Sequence, residues 1–326
     1  MVRGFVMVNV LIVGGAGFIG SHLVRDCLSR GDKVTVLTRA STDIWRIEDI
    51  LDRLTLVRLN LTDTEALMTA LRHQPPQRVF LLGAVTRFAT ANNDLADVAE
   101  AMRVNLDPLR AILEALGRMD VPPQSVVRTG TLAELSSDPG IARSATREWP
   151  ETTYGLSILA GTHYLRIWRD RCGIPAVTAR LSLTYGGGQS PDFLVPGAIR
   201  QGLAGTPMMP RQPDARRDLI HVDDVIEALQ LVADNADRLP PVVNVSTGRP
   251  IRTGDLAARI ARLTGHKPPP EPAKTGAGNR VSAPPSKELR ALGWRPRVSL
   301  QQGLRQVIAW ERARKTDNRH PERRSA

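Results

Sequence analysis

The sequence predicts an α/β fold: a doubly wound parallel sheet with helices on both faces, followed by a smaller C-terminal α/β lobe. Three observations predict it. Short apolar runs alternate with amphipathic helical periodicity through the first 181 residues, the pattern of repeated βαβ units. A glycine-rich turn, Gly14-Gly15-Ala16-Gly17, closes the first apolar run, where such a sheet carries its phosphate-binding loop. Of 326 residues, 42% are hydrophobic and 24% charged, which supplies a sizeable core and excludes disorder as the dominant state.

In chain order, residues 8–13 form the first strand, an apolar run too short for a helix. Its apolar start behind Arg3 resembles a secretion signal, but it passes straight into the glycines and a helix, as a buried strand does. Met7 is read as an alternative start, with residues 1–6 an upstream extension. Residues 20–28 follow as a helix, 33–38 and 54–59 as strands two and three, and 64–71 as a helix opened by Asp63. Strand four is 78–82, one long helix spans 95–116, and strand five is 125–129. A helix over 154–171 and a strand over 176–181 complete the alternation. Beyond residue 185, Gly186–Gly188 and the proline-bearing 191–215 read as loop and short helix. Residues 242–245 read as a strand, 256–263 and 300–310 as helices, and 267–285 as a surface loop. The expected division is a nucleotide-binding domain of 1–182 with about 216–247, and a substrate lobe of about 183–215 with 248–311. A basic tail over 312–326 is expected to lack fixed structure.

Charge and cysteine content narrow the function classes. The net charge is +11, yet only five of the 44 basic residues are lysines, and the arginines are spread along the chain. Nucleic-acid binding needs a basic patch, so none is expected. No apolar run reaches the roughly 18 residues of a membrane span. Cys27 and Cys172 form no CxxC or Cys/His cluster, so no metal site is expected, and a reducing, cytoplasmic setting is.

The turn carries the first chemistry. Glycines at 14, 17 and 20 allow a tight bend, close approach of backbone to a pyrophosphate, and close helix–strand packing. The helix N-terminus then offers free N–H groups and a favourable dipole to the anion. This is a Rossmann-type dinucleotide site. Its second strand ends in Thr38-Arg39-Ala40-Ser41-Thr42. An NAD(H) site wants a carboxylate there for the ribose hydroxyls. Arg39 instead suits a 2′-phosphate, so NADP(H) is expected.

Further motifs follow in order: Gly14–Leu23 (GGAGFIGSHL), Asn60-Leu61-Thr62-Asp63, Leu82-Gly83-Ala84, Asn105, Thr129-Gly130-Thr131 and Tyr154-Gly155-Leu156-Ser157. Arg180-Leu181, Tyr185-Gly186, Arg217–Val225 (RDLIHVDDV), Asn244–Gly248 and Leu292-Gly293-Trp294 complete the set. On these residues the chain resembles the extended short-chain dehydrogenase/reductase family, in its nucleotide-sugar epimerase, dehydratase and ketoreductase branch, over about residues 8–311. The resemblance implies hydride transfer at a sugar carbon, with Tyr154 as proton donor or acceptor and Thr131 as its hydroxyl partner. The implied cofactor contacts are Gly14, Gly17, Phe18, Ile19, Gly20, Thr38, Arg39, Ser41, Asn60, Leu61, Leu82, Gly83, Ala84 and Tyr154. Thr86, Thr131, Glu134 and Arg217 are the implied substrate contacts, Arg217 gripping the nucleotide pyrophosphate. Homodimers through helices 95–116 and 154–171 are implied as well.

The departures matter as much. The family lysine four residues after the tyrosine is Ile158, which supplies neither charge nor hydrogen bond. A tyrosine near its ordinary pKa of about 10 is only about 0.1% phenolate at pH 7. Oxidation, which needs a base, should therefore suffer more than reduction, which needs a proton donor. Arg87, His163 and His221 are candidate substitute cations. The Asp-Glu pair that follows the threonine in the family's 4,6-dehydratases is Leu132-Ala133, which disfavours elimination. Glu134 fits the Gly-Ser/Thr-x-x-Glu pattern of several 4-keto-6-deoxysugar reductases, and Leu183 stands where the family has a substrate-contacting asparagine. The sequence thus points to an NADP(H)-dependent nucleotide-sugar 4-ketoreductase. An epimerase of the same family, a redox-inactive regulatory or binding descendant, and a reductase of ketones outside nucleotide sugars remain open.

Overall fold

Apolar, β-branched segments build one central sheet, and its strands form where the sequence alternation places them. In this computed structural model, residues 7–88, 95–136, 148–206, 208–269 and 279–316 are described. The strands are β1 (Asn9–Val13), β2 (Lys33–Thr38), β3 (Thr55–Arg58), β4 (Arg78–Leu81), β5 (Ser125–Thr131), β6 (Ala176–Leu181), β7 (Leu183–Tyr185), β8 (Arg216–Arg217), β9 (Leu219–His221), β10 (Val242–Val245), β11 (Ile251–Arg252) and β12 (Arg280–Val281). The helices are α1 (Phe18–Ser29), α2 (Thr64–His73), α3 (Ala96–Asn105), α4 (Asp107–Gly117), α5 (Thr153–Cys172), α6 (Leu194–Leu203), α7 (Val222–Asp234), α8 (Thr253–Leu263), α9 (Lys287–Ala291) and α10 (Leu300–Thr316).

Seven strands pair in the order β10-β6-β5-β4-β1-β2-β3, all parallel. The order reverses between β1 and β4, which opens a crevice at their carboxyl ends, the usual ligand position in such sheets. Both faces are covered, and every residue of β6 is buried. One core packs α1 and α7 on the sheet through Leu23, Val24, Val225, Leu229 and Val232. The other packs α2, α4 and α5 through Leu67, Leu71, Leu113, Leu116, Leu165 and Trp168. A third, smaller core joins β7, β9, α6, α8 and α10 through Tyr185, Ile199, Ile260 and Leu304. The doubly wound α/β fold is therefore as the sequence predicts.

The structure departs from the sequence pattern in several places. The helix α7 and the two- or three-residue strands β7, β8, β9, β11 and β12 form where no element was expected. The single helix over 95–116 is two, because Pro108 has no N–H to continue the ladder, and the chain turns at Leu106. The last helix runs to Thr316 rather than 310, so the basic segment expected to lack structure begins as helix. Arg314 sets its guanidinium 5.0 Å from the Trp45 ring and 5.5 Å from Trp310, which holds that last turn down. Residues 317–326 lie outside the described residues. Arg216–Arg217 pair with β11 and β12 in a small separate sheet, not with the large one.

Candidate active site

The glycines of the first turn have separable jobs. Gly14 has φ +82, and a Cβ on it would lie 2.7 Å from the Gly83 nitrogen. The turn after β1 is thus pressed against the loop after β4. A Cβ on Gly20 would lie 2.1 Å from the Gly14 carbonyl oxygen, so α1 packs directly on the turn. A Cβ on Gly17 would meet only that same carbonyl, at 3.1 Å. Gly17 therefore keeps one side open at the start of α1, where the first-turn amides, Phe18 and Ile19 among them, lack helical acceptors. This cradle fits the pyrophosphate of a dinucleotide.

Around it lie the other expected cofactor contacts. Thr38 is buried, whereas Arg39 and Ser41 are exposed at the end of β2. Arg58, opposite Thr38 across β2 and β3, donates to the Ala40 carbonyl at 2.8 Å and shapes that loop. Sequence reasoning does not single it out. Asn60 accepts from the Thr62 amide and hydroxyl, and Leu61 is half-buried beside it. Leu82 bonds back to Val13 at 2.9 Å, while Gly83, Ala84 and Thr86 are exposed along the crevice. Asn105 clamps this loop: its Oδ1 accepts from the Val85 amide at 2.7 Å, and its Nδ2 donates to the Val85 carbonyl and to Ser157 Oγ. One side chain therefore ties the β4 loop to α5.

The catalytic candidates meet at the carboxyl end of β5. Thr131 ends the strand and caps a 3-10 turn, Leu132–Glu134, accepting from the Ala133 amide at 3.2 Å. Glu134 returns the bond, accepting from the Thr131 amide at 2.8 Å, which completes a capping box. Tyr154 stands on the first turn of α5, capped by Thr152 through the Gly155 amide at 3.0 Å. Gly155 is required because a Cβ there would lie 2.3 Å from the Ala133 carbonyl oxygen. This close packing brings the Thr131 hydroxyl near enough to the Tyr154 phenol to bear on its acidity. Burial pushes the Tyr154 phenol up to about 12; the charge of Arg128 and the Thr131 hydroxyl pull the other way, and Glu134 adds to the rise.

Behind the pair is a buried charged cluster. Glu134 is fully buried. Its second oxygen accepts from Arg180 Nε at 2.7 Å and from Thr162 Oγ1 at 2.9 Å. Expected at the substrate, Glu134 is instead committed to the turn and to Arg180, because both carboxylate oxygens are taken up inside. Arg180 also pairs with Glu148, which in turn meets His163 Nε2 at 2.8 Å. Arg128, in mid-β5, donates to Thr162 Oγ1 and to the Ile158 carbonyl, each at 3.1 Å. Sequence reasoning passes over it, although a charge inside the run Val126-Val127-Arg128 of a central parallel strand is itself an anomaly.

The remaining expected residues lie apart. Arg217 is half-buried on β8 and donates to Asn279 Oδ1 at 2.9 Å; burial lowers its pKa. The three candidate substitute cations are engaged elsewhere. Arg87 pairs with Asp192 at 3.6 Å, His163 with Glu148, and His221 caps α7 through the Asp223 amide. Ile158 is only 2% exposed. A cleft of about 550 Å³ runs between α1 and α7, lined by His22, Asp26, Asp223 and Gln230. Neither Tyr154 nor Thr131 lines it, so its size does not make it the reaction centre.

Comparison with known proteins agrees with this geometry. Residues 10–246 match the NAD dependent epimerase/dehydratase family. The chain is similar to the UDP-glucose 4-epimerase of Thermus thermophilus, solved in complex with NAD: 30% identity, TM-score 0.79, covering 93% of this chain and 99% of that one. It is also similar to the enzyme WbmF of Bordetella bronchiseptica in complex with NAD+, at 25% identity and TM-score 0.78 over 96% and 95% of the two chains. A dTDP-glucose 4,6-dehydratase of Xanthomonas campestris pv. campestris (strain B100) is 27% identical, with 93% of each chain covered.

Proposed function

The chain belongs to the NAD dependent epimerase/dehydratase family, and from that premise we propose that it is an NADP(H)-dependent ketoreductase of nucleotide-linked sugars, acting on a 4-keto-6-deoxyhexose. The observation that carries this reading is the surroundings of Tyr154: Ile158, buried and uncharged, stands four residues on, where the resembled family has a lysine. With the Tyr154 pKa raised to about 12, about one molecule in 10⁵ holds a phenolate at pH 7. Such a residue still carries the proton to be donated, though it gives it up less readily than an ordinary phenol, and it is a very poor base. Reduction of a ketone consumes a proton at the carbonyl oxygen, whereas epimerisation through a ketone must first remove one from an alcohol. Elimination of water needs a further acid and base, and Leu132 and Ala133 supply neither. Two of the named relatives are a UDP-glucose 4-epimerase and a dTDP-glucose 4,6-dehydratase; the chemistry proposed for this chain is neither.

The reduced nicotinamide, when bound, supplies the hydride. Phe18 and Ile19 amides would hold its pyrophosphate, and Arg39, with Arg58 shaping the loop, its 2′-phosphate. Arg217 would hold the substrate pyrophosphate. Tyr154 gives its hydroxyl proton to the carbonyl oxygen, and Thr131 hydrogen-bonds to that oxygen as it gains charge. We read the exposed Leu156 and Ile167 on α5 as part of a homodimer face. The test is NADPH oxidation by the purified protein against a panel of nucleotide-linked 4-keto-6-deoxy sugars. Turnover with NADPH supports the reading; epimerisation of nucleotide hexoses without net cofactor turnover would replace it.

A further inference from the structure

A buried arginine without a carboxylate partner is the least expected feature of the molecule. Arg128 is 4% exposed. Among the described residues no carboxylate lies within ion-pair distance of it, and its two hydrogen bonds end on neutral oxygens, the Ile158 carbonyl and Thr162 Oγ1. Burying a cation on those terms is strongly disfavoured, so its position calls for a reason. The space is specially cleared: a Cβ on Gly161 would lie 2.5 Å from the Arg128 Nη2. The guanidinium thus lies against the backbone of α5 at residues 158–162, one helical turn beyond Tyr154. That is the turn whose side chain at 158 is lysine in the resembled family and isoleucine here.

We propose that Arg128 is the positioning residue that replaces the missing lysine, holding a positive charge from β5 against the backbone of α5, one helical turn beyond Tyr154. This rests on the reading of Tyr154 as the proton-transfer group. The electrostatics run the same way: the Arg128 cation opposes the rise that burial imposes on Tyr154, while Glu134 adds to it. The other charged groups facing this region are accounted for. Glu134 is held by Arg180, Arg180 also by Glu148, and Glu148 by His163. Asp97 on α3 accepts from the Thr153 hydroxyl at 2.7 Å. Among the described residues of this cluster, Arg128 is the cation with no carboxylate in direct ion-pair contact, although Glu134 acts on it through space and shares Thr162 Oγ1 with it. The charge absent at position 158 is thus kept beneath the helix.

The chain has three tyrosines, so incorporation of 3,5-difluorotyrosine gives three fluorine resonances. The one lost in Tyr154→Phe identifies Tyr154, and its shift is followed against pH without substrate or cofactor. Arg128→Met should raise the Tyr154 midpoint by about one pH unit, and Arg128→Lys should return most of that shift. Arg128→Gln, which keeps a donor for the Ile158 carbonyl and removes only the charge, serves if the methionine variant does not fold; it should raise the midpoint similarly. A midpoint unmoved in either folded neutral variant overturns the proposal. Absence of sugar turnover, by contrast, would bear on the functional reading and leave this titration standing.

Discussion

In the proposed reaction Tyr154 concentrates the chemistry in one hydroxyl, and its deletion is the sharpest test at this scale. Tyr154→Phe removes the transferable proton but leaves the ring, so turnover should fall by at least about 10²-fold, the size of a general-acid contribution. NADPH affinity, measured by fluorescence titration, should stay within a factor of about two. Retained turnover would remove the proton-donor assignment. Arg39 is the second decisive residue. Arg39→Ala should weaken NADPH binding about tenfold or more while changing NADH binding little, since only the former carries a phosphate for a guanidinium to grip. Equal losses would end the NADP(H) proposal. The places of Tyr154, Thr131, Arg39 and the glycines in the fold were legible because their motifs are local. Arg128 and Arg58 were not, because their roles come from neighbours brought over from other strands and helices.

Two glycine contacts set the geometry between elements. Gly20→Ala would drive a methyl into the Gly14 carbonyl, a backbone atom that cannot swing aside. The start of α1 must shift, so cofactor binding should be lost together with about 1–3 kcal/mol of stability. Gly155→Ala would do the same against the Ala133 carbonyl, separating α5 from the 3-10 turn and Tyr154 from Thr131. Its expected signature is different: kcat falls while cofactor affinity holds, because that contact joins α5 to the 3-10 turn and involves none of the glycines in the turn after β1. If both variants show the same pattern, the two contacts do not act separately. At this scale periodicity predicted the seven strands of the large sheet to within two residues, but not β7, β8, β9, β11 and β12, which are too short to show a period. The break at Leu106 was missed although Pro108 announced it, since an apolar stripe continues in register across the turn.

For the whole molecule, the buried thiol gives a pH prediction. Cys27 has no solvent exposure, and burial pushes its pKa from 9.0 up to about 12. A raised folded value means that stability is fully present below the unfolded pKa near 9 and declines as pH climbs toward 12. The decline from this one group approaches about 1.4 kcal/mol per pH unit in that window. Denaturant midpoints between about pH 8.5 and 10.5 should therefore fall less steeply in Cys27→Val; parallel slopes would mean the thiol is not the source. The assembly is testable too. Ile167 is 52% exposed, and Ile167→Glu should convert the proposed dimer to monomer in sedimentation velocity, whereas a monomeric parent protein would refute the dimer.

Strand and helix alternation, the glycine turn and the order of the motifs determined the doubly wound sheet and the dinucleotide site without any coordinates. They could do so because hydrophobic period and backbone freedom are properties of neighbouring residues. Tertiary structure decided where the charges ended up. It turned Glu134 inward, placed Arg217 on a small separate sheet, and set Arg128 under the helix that carries Tyr154. Those outcomes depend on which elements pack together and on how much water packing expels, and a side chain's sequence neighbours report neither.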